Sequence, residues 1–321
     1  MTSLLFIQNK LTFTPSVDIL LLLLHSQTTR NKSMRYNIIF FLILAGLPCL
    51  AYSQNVRLQV IVENQLRYNL ETTGETALAA LQNAGQRQDF LVRTTFYEEF
   101  DAYFLTRIGG YQAQGNLGWN FFINGQTTNL SVDQAELNNN DVIIFQLARP
   151  RTQDIALRDG WQLISLNTIP DGNWQDNRLS VPGILADLVN QGKIAIVKDN
   201  QGRFYSPRNN FSNIPGWNIT EGYYVKISSD SRVNLTIEGG TPIPKTLPIQ
   251  LTEGWNIIPY LARQPMEATE ALASINVSLI IAKNARGQFW APRYRFNNLD
   301  QFMPGFGYQV KVENDIILIY P

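Results

Sequence analysis

Glu98, Glu99 and Asp101 form the densest carboxylate group in the chain. Glycoside hydrolysis needs such a pair, one acid to protonate the leaving oxygen and one carboxylate to attack or to activate water. Strand alternation gives a plainer account, in which Phe96, Phe100 and Phe104 turn inward and the acids lie on a solvated loop. The serine and threonine hydroxyls have no imidazole to activate them, because the single histidine, His25, and the single cysteine, Cys49, both precede an expected export cut. No GxSxG elbow, P-loop or HExxH sequence is present. The expectation is a protein that is not an enzyme. Asn138-Asn139-Asn140-Asp141 and Asp171-Gly172-Asn173 offer oxygen atoms, yet neither has calcium-loop spacing. Turn chemistry accounts for both, and no cofactor or metal site is expected.

Aromatic side chains are the remaining source of recognition chemistry. Trp161 and Trp255 open two matching strands, and Tyr223 and Tyr308 enter two others, positions that suit core anchors. Trp174 and Trp217 fall in loops and are the better candidates for exposed contact with a sugar ring or other ligand. Phe121 and Phe122 are neighbours on one strand and cannot share a face, so one of them packs on a neighbouring part or lines a groove. With Trp119 beside them, the candidate ligand-binding residues are Trp119, Phe121, Phe122, Trp174 and Trp217.

Met34, Arg35, the apolar run Ile38 to Leu47 and Ala51-Tyr52-Ser53 have the three-part layout of a secretory signal peptide. The run is shorter than the roughly 20 residues a spanning helix needs, and Gly46-Leu47-Pro48 is a poor lead-in to a lipidated Cys49. Residues 1–33 read as upstream sequence ahead of a misplaced start, residues 34–53 as the signal. The mature chain then carries 22 basic and 25 acidic side chains of the 26 and 26 in the whole. Without basic blocks it lacks the footprint of a nucleic-acid binder, and without cysteine it must fold by apolar burial rather than by disulfides. The expected location is secreted, periplasmic or on the cell surface, with no transmembrane helix in the mature chain.

These residues need a framework, and internal similarity supplies its outline. Asp159-Gly160-Trp161-Gln162-Leu163-Ile164 is echoed by Glu253-Gly254-Trp255-Asn256-Ile257-Ile258, Lys198 to Arg208 by Lys283 to Arg293, and Gly222-Tyr223-Tyr224-Val225-Lys226 by Gly307-Tyr308-Gln309-Val310-Lys311. Each copy reads as a hairpin about Arg158-Asp159-Gly160 or Thr252-Glu253-Gly254, a short helix at Val181–Val189 or Glu267–Ile275, a second hairpin at Asp199–Gly202 or Asn284–Gly287, and a last strand. Before them, strands at Arg57–Glu63, Leu91–Phe96, Ala102–Ile108, Trp119–Ile123 and Asp141–Leu147 surround a helix at Glu75–Asn83, capped by Thr72 or Thr73. One helix laid across a mixed sheet is a β-grasp arrangement. The expected fold is mainly β with an α+β head: a β-grasp domain at 54–148, then two tandem small β-barrel or sandwich repeats at 154–239 and 249–321, each with one short helix, joined by a linker at 240–248.

Gly118-Trp119-Asn120-Phe121-Phe122-Ile123-Asn124-Gly125, followed by Leu137 to Ile143 and preceded by Tyr103 to Gly110, resembles the transcobalamin C-terminal-like domain family. Asn140-Asp141 stands where that family has Gly-Asp, a place that asparagine fills because it tolerates the left-handed region. The resemblance implies a β-grasp fold of the soluble ligand-binding type, with cobalamin as the implied ligand, though no helical partner domain is present. The two later segments resemble the Gly-Trp-Asn-Leu-Ile-Ser to Gly-Tyr-Trp-Val-Lys repeats of exported bacterial surface proteins. The functional expectation is a secreted, non-catalytic cell-envelope or adhesion-type binding protein with an unknown cell-surface partner. A soluble binder of a small, cobalamin-like ligand is the alternative, and glycan binding by exposed aromatics the third option.

Overall fold

The first strands set the frame on which everything else is hung. In the computed structural model, which describes residues 53–175 and 178–321, β1 (Gln54–Val62) turns through Glu63 and Asn64 into β2 (Gln65–Gly74). Both turn residues have positive φ, 48° and 67°, the twist that joins antiparallel strands tightly. The expected upstream segment, and all but the last residue of the expected signal, lie outside the described residues. Helix α1 (Ala77–Gln88) follows, capped by Thr76, whose hydroxyl accepts from the Ala79 N–H at 3.2 Å. Thr72 and Thr73, the expected caps, belong instead to β2, and the Thr72 hydroxyl donates to the Ala80 carbonyl at 3.1 Å. The helix crosses β2 so closely that a Cβ on Gly74 would stand 2.3 Å from the Ala80 nitrogen, so only glycine fits there.

Next come β3 (Val92–Tyr97), β4 (Ala102–Ile108), β5 (Tyr111–Gln112), β6 (Gly118–Ile123) and β7 (Val142–Ala148). Strand β7 inserts between β1, to which it is parallel, and β6, giving the order β2-β1-β7-β6. Alternation along β7 sends Ile143, Phe145 and Leu147 to the helix side with Leu58, Val60 and Leu81. Ile144 joins Ile61 and Phe122 in the larger core on the other side. Strands β3, β4 and β5, expected in this same sheet, form a separate one. Their aromatic side chains are also not hidden: Phe96, Phe100 and Phe104 are 44%, 60% and 46% exposed. Leu105 and Ile108 of β4 reach the helix-side core, while toward the tip ring pairs cross the hairpin, Phe96 against Tyr103 at 5.0 Å and Tyr97 against Phe104 at 5.1 Å.

The rest of the chain is a set of small sheets. Strand β8 (Arg151–Leu157) pairs with the long β17 (Val233–Pro242), which also pairs with β10 (Thr168–Ile169). A five-stranded sheet has β9 (Gly160–Ile164), β16 (Tyr223–Ile227), β13 (Ile194–Lys198), β14 (Phe204–Ser206) and β15 (Phe211–Ser212) in that spatial order. A second runs β19 (Gly254–Pro259), β25 (Gly307–Val312), β21 (Leu279–Lys283), β22 (Phe289–Ala291), β23 (Phe296–Asn297). Three ribbons complete it: β11 (Trp174–Gln175) with β12 (Arg178–Leu179), β18 (Ile249–Leu251) with β26 (Ile316–Leu318), and β20 (Met266–Glu267) with β24 (Gln301–Phe302). The helices here are short: α2 (Val181–Ile184), α3 (Ala186–Asn190) and α4 (Ala268–Ala271).

The architecture is mainly β with few helices, a propeller-like arrangement of small sheets, and this corrects the expected β-grasp domain followed by two barrel or sandwich repeats. Two findings overturn that expectation. The hairpins expected about Arg158–Gly160 and Thr252–Gly254 do not form: β8 pairs with β17 while β9 pairs with β16, and β18 pairs with β26 while β19 pairs with β25. An apolar run, a tight Asp-Gly or Glu-Gly turn and another apolar run read alike whether the chain folds back on itself or passes to another sheet. Secondly, one core runs from Ile61 through Leu166 and Trp217 to Tyr320, so the later parts do not close around cores of their own. Ser165 ties them, its hydroxyl donating to the Phe306 carbonyl at 2.7 Å and accepting from the Tyr260 N–H at 3.0 Å. Residues 240–248, expected as a linker, start with the end of β17 and bury Ile243 and Leu247.

Candidate functional site

Strand β6 is an edge strand, so its outer margin is free of a neighbour. A groove of about 440 Å³ opens there. Trp119 and Phe121, alternate residues on the helix side of β6, form one wall, and Ala102 to Leu105 of β4 face them with Phe100 at the tip. The loop Thr127–Val132 closes one end, and Ile169, Pro170, Asp171 and Trp174 bring the β10–β11 segment to the other. Its size is that of pockets that hold small organic ligands.

Local chemistry explains why the groove stays open. Asn124 and Gly125, both at positive φ (50° and 74°), make a tight turn that pairs Gln126 back on Ile123, and among the described residues no strand continues that pairing along the outer edge of β6. The Asn124 side chain ties that turn to the start of β7, donating to Asp141 at 2.6 Å and accepting from the Val142 N–H at 2.9 Å. Gln134 binds the Asp101 carbonyl at 3.1 Å and Asp133 accepts from the Tyr103 N–H at 3.1 Å, which lashes the loop to the aromatic hairpin. On the opposite face of β6 the Asn120 side chain accepts from the Thr241 hydroxyl at 3.2 Å.

The lining is aromatic and almost uncharged, Asp171 being the ionisable side chain among strong hydrogen-bonding groups such as Asn129 and Thr128. Two polar atoms are sequestered from water without a partner, the Trp119 indole Nε1 and the Ser131 Oγ. A buried polar atom without a partner costs free energy, so the groove wall is not fully satisfied by the chain itself. Such a site can stack a flat apolar surface and hydrogen-bond a few neutral polar groups at its rim. Among the described residues no group of three or more His, Cys, Asp and Glu could hold a metal ion. No helix among them is long and apolar enough to cross a membrane.

The structure brings Trp119, Phe121, Phe122 and Trp174 to this one groove. Phe122 is fully buried and contributes to its floor. Trp217, expected as an exposed contact, is only 4% exposed. Its ring stacks on Tyr223 at 4.0 Å and its backbone bridges Leu179, so it anchors the core beneath the short helices. Sequence reasoning missed Phe100, Tyr103 and Phe104. The signal was present: Phe96, Tyr97, Phe100, Tyr103 and Phe104 crowd nine positions, more rings than one buried face of a hairpin can take.

Residues 74–149 match a family described as a domain of unknown function, DUF4430, and that span contains the Gly118–Gly125 stretch and most of the groove. A solved protein from Ruminococcus gnavus ATCC 29149, provisionally described as metal binding, is 18% identical over 30% of this chain and 97% of its own, with a TM-score of 0.25. Haptocorrin, solved in complex with Cbi, is 17% identical over 30% of this chain and 25% of its own, with a TM-score of 0.27. The alignment thus spans about a quarter of the haptocorrin chain. No curated protein matches.

Proposed function

We propose that this chain is a non-catalytic binding protein that works outside the cytosol and takes a small, largely neutral ligand with a flat apolar face in the groove beside β6. The observation that carries the reading is the meeting of Trp119, Phe121, Trp174 and the Phe100–Phe104 rings around an open space. Cobalamin is the first ligand to test, following the sequence resemblance. Tryptophan fluorescence during titration with cyanocobalamin reads the outcome. Saturable quenching with a Kd below about 1 μM, near −8 kcal/mol, that weakens at least tenfold in Trp119→Ala supports the reading. Absence of saturable quenching removes cobalamin. Retention of full affinity in both Trp119→Ala and Trp174→Ala removes the groove.

A second reading, adhesion to a cell-surface partner, is favoured by the exposed ring patch of the β3–β4 hairpin. Contiguous exposed apolar surface of this kind marks interaction sites. Phe96→Ser with Tyr97→Ser, both exposed and neither in the groove lining, would then abolish attachment to whole cells and leave cyanocobalamin quenching in place.

A further inference from the structure

The edges of the two five-stranded sheets are alike in register but not in what closes them. Ile257 lies opposite Gln309, and Leu163 lies opposite Tyr224 at the corresponding place in the other sheet. At Ile257 the outward N–H donates to the Asn200 side-chain oxygen at 3.0 Å, and the carbonyl accepts from the Gly222 N–H at 3.0 Å. The residues that correspond to Asn200 and Gly222 beside Leu163 are Ala285 and Gly307. Alanine has no carboxamide, so among the described residues the Asn200 bond has no counterpart at the Leu163 N–H, whereas the antiparallel Ile164–Phe306 bridge turns the Gly307 N–H to the Leu163 carbonyl as Gly222 serves Ile257. A groove of about 590 Å³ stands there, lined by Trp161, Leu163, Ala285, Arg286, Glu267 and Asp300 among others.

Trp161 is held as a platform at the mouth of this groove. Its ring is 41% exposed, with Lys198 Nζ 5.4 Å from its centroid and Tyr224 edge-on at 6.0 Å, contacts that restrain the indole. Gln301 orients the Glu267 carboxylate at 2.9 Å. A peptide strand needs several successive edge groups. Here the Trp161 carbonyl is taken by the Gln162 side chain at 3.0 Å and the Ile164–Phe306 bridge takes the Leu163 carbonyl, which leaves the Leu163 N–H as the one open group. A compact ligand fits better: an amide carbonyl to replace the Asn200 carboxamide, a flat face for Trp161, and hydroxyls for Glu267, Asp300 and Arg286.

We propose that the groove between Trp161, Leu163 and Ala285 is a second binding site, for an N-acetylated pyranose whose acetamido oxygen accepts from the Leu163 N–H. The site is independent of the groove beside β6. Calorimetric titration with chitotetraose and with cellotetraose, which share a linkage and differ in the acetamido group, tests it, and N-acetylglucosamine alone distinguishes a terminal from an internal unit. Chitotetraose is expected to bind at least tenfold tighter than cellotetraose. Ala285→Asn, an exposed turn substitution that rebuilds the plug found at Asn200, is expected to abolish binding with the fold intact. Trp161→Ala weakens it at least tenfold, whereas Trp255→Ala, the same local arrangement beside the closed edge with Lys283 Nζ at 4.6 Å, leaves it unchanged, as does Trp119→Ala. No binding of chitotetraose at millimolar concentration, equal affinity for the two sugars, or unchanged affinity in Ala285→Asn would overturn the proposal.

Discussion

Trp119 and Trp217 are both tryptophans on or beside short strands, and both have an indole N–H without a partner, yet their surroundings differ in kind. Trp217 is stacked on Tyr223 inside the large core, with Leu179 and Ile219 also buried there. Trp119 sits on an edge strand whose next neighbour is missing, in a wall of rings that face one another across open space. Rings that hold a fold have their faces covered by the chain itself. Rings that recognise are backed on one face and left bare on the other, and the exposed Phe96–Phe104 hairpin takes this to its limit.

The difference can be broken by substitution. Trp217→Ala empties a packed site and is expected to cost about 3–5 kcal/mol, seen as a large drop in the midpoint of chemical unfolding. Phe104→Ala in the hairpin is expected to cost under about 1 kcal/mol, since its ring is half exposed. Equal losses for the two would erase the contrast. A finer probe is Glu221, next to the buried Tyr223. Burial pushes its carboxyl above the ordinary range, with Asp199 adding to the rise and the Asn218 hydrogen bond and Arg203 opposing it. A raised folded pKa means the native state holds the proton longer, so its contribution is full at acid pH and is lost as pH rises from the ordinary carboxyl value through the raised one. Glu221→Gln, which cannot ionise, is expected to raise the melting temperature at pH 7 and flatten its dependence on pH. A steeper dependence in the variant would reverse the sign of that account.

Local features were legible in the sequence and distant ones were not. The Asn124-Gly125 turn, the turns at Asp199–Gly202 and Asn284–Gly287, and a helix near 75–83 depend on neighbouring residues, and they lie where expected. Strand partners depend on the whole chain. Nothing in Arg158-Asp159-Gly160 says that the strands on either side belong to different sheets, or that β17 will pair with β8 some eighty residues earlier. The cap moved from Thr72 to Thr76 because pairing with β1 claims β2 up to Gly74. For the candidate site, residue type pointed to Trp119 and Trp174, but a position in a loop carries no information on burial, and so Trp217 was grouped with them. The hairpin rings were read as buried because alternation assumes a core along the whole strand, whereas only the Val92, Leu105 and Ile108 end of this hairpin reaches one and the rings lie at the other end.

The account turns on whether the groove rings serve recognition and not the fold. Thermal unfolding of the wild type and of Trp119→Ala, each with and without saturating cyanocobalamin, tests this in one experiment, because a ligand that binds only the native state raises its melting temperature. The expected result is a melting temperature for ligand-free Trp119→Ala that falls less than half as far as that of Trp217→Ala, together with a ligand-induced rise that is clearly smaller in Trp119→Ala than in the wild type at the same ligand concentration. A ligand-free Trp119→Ala that melts as low as Trp217→Ala, or a ligand-induced rise undiminished by the loss of Trp119, would contradict it.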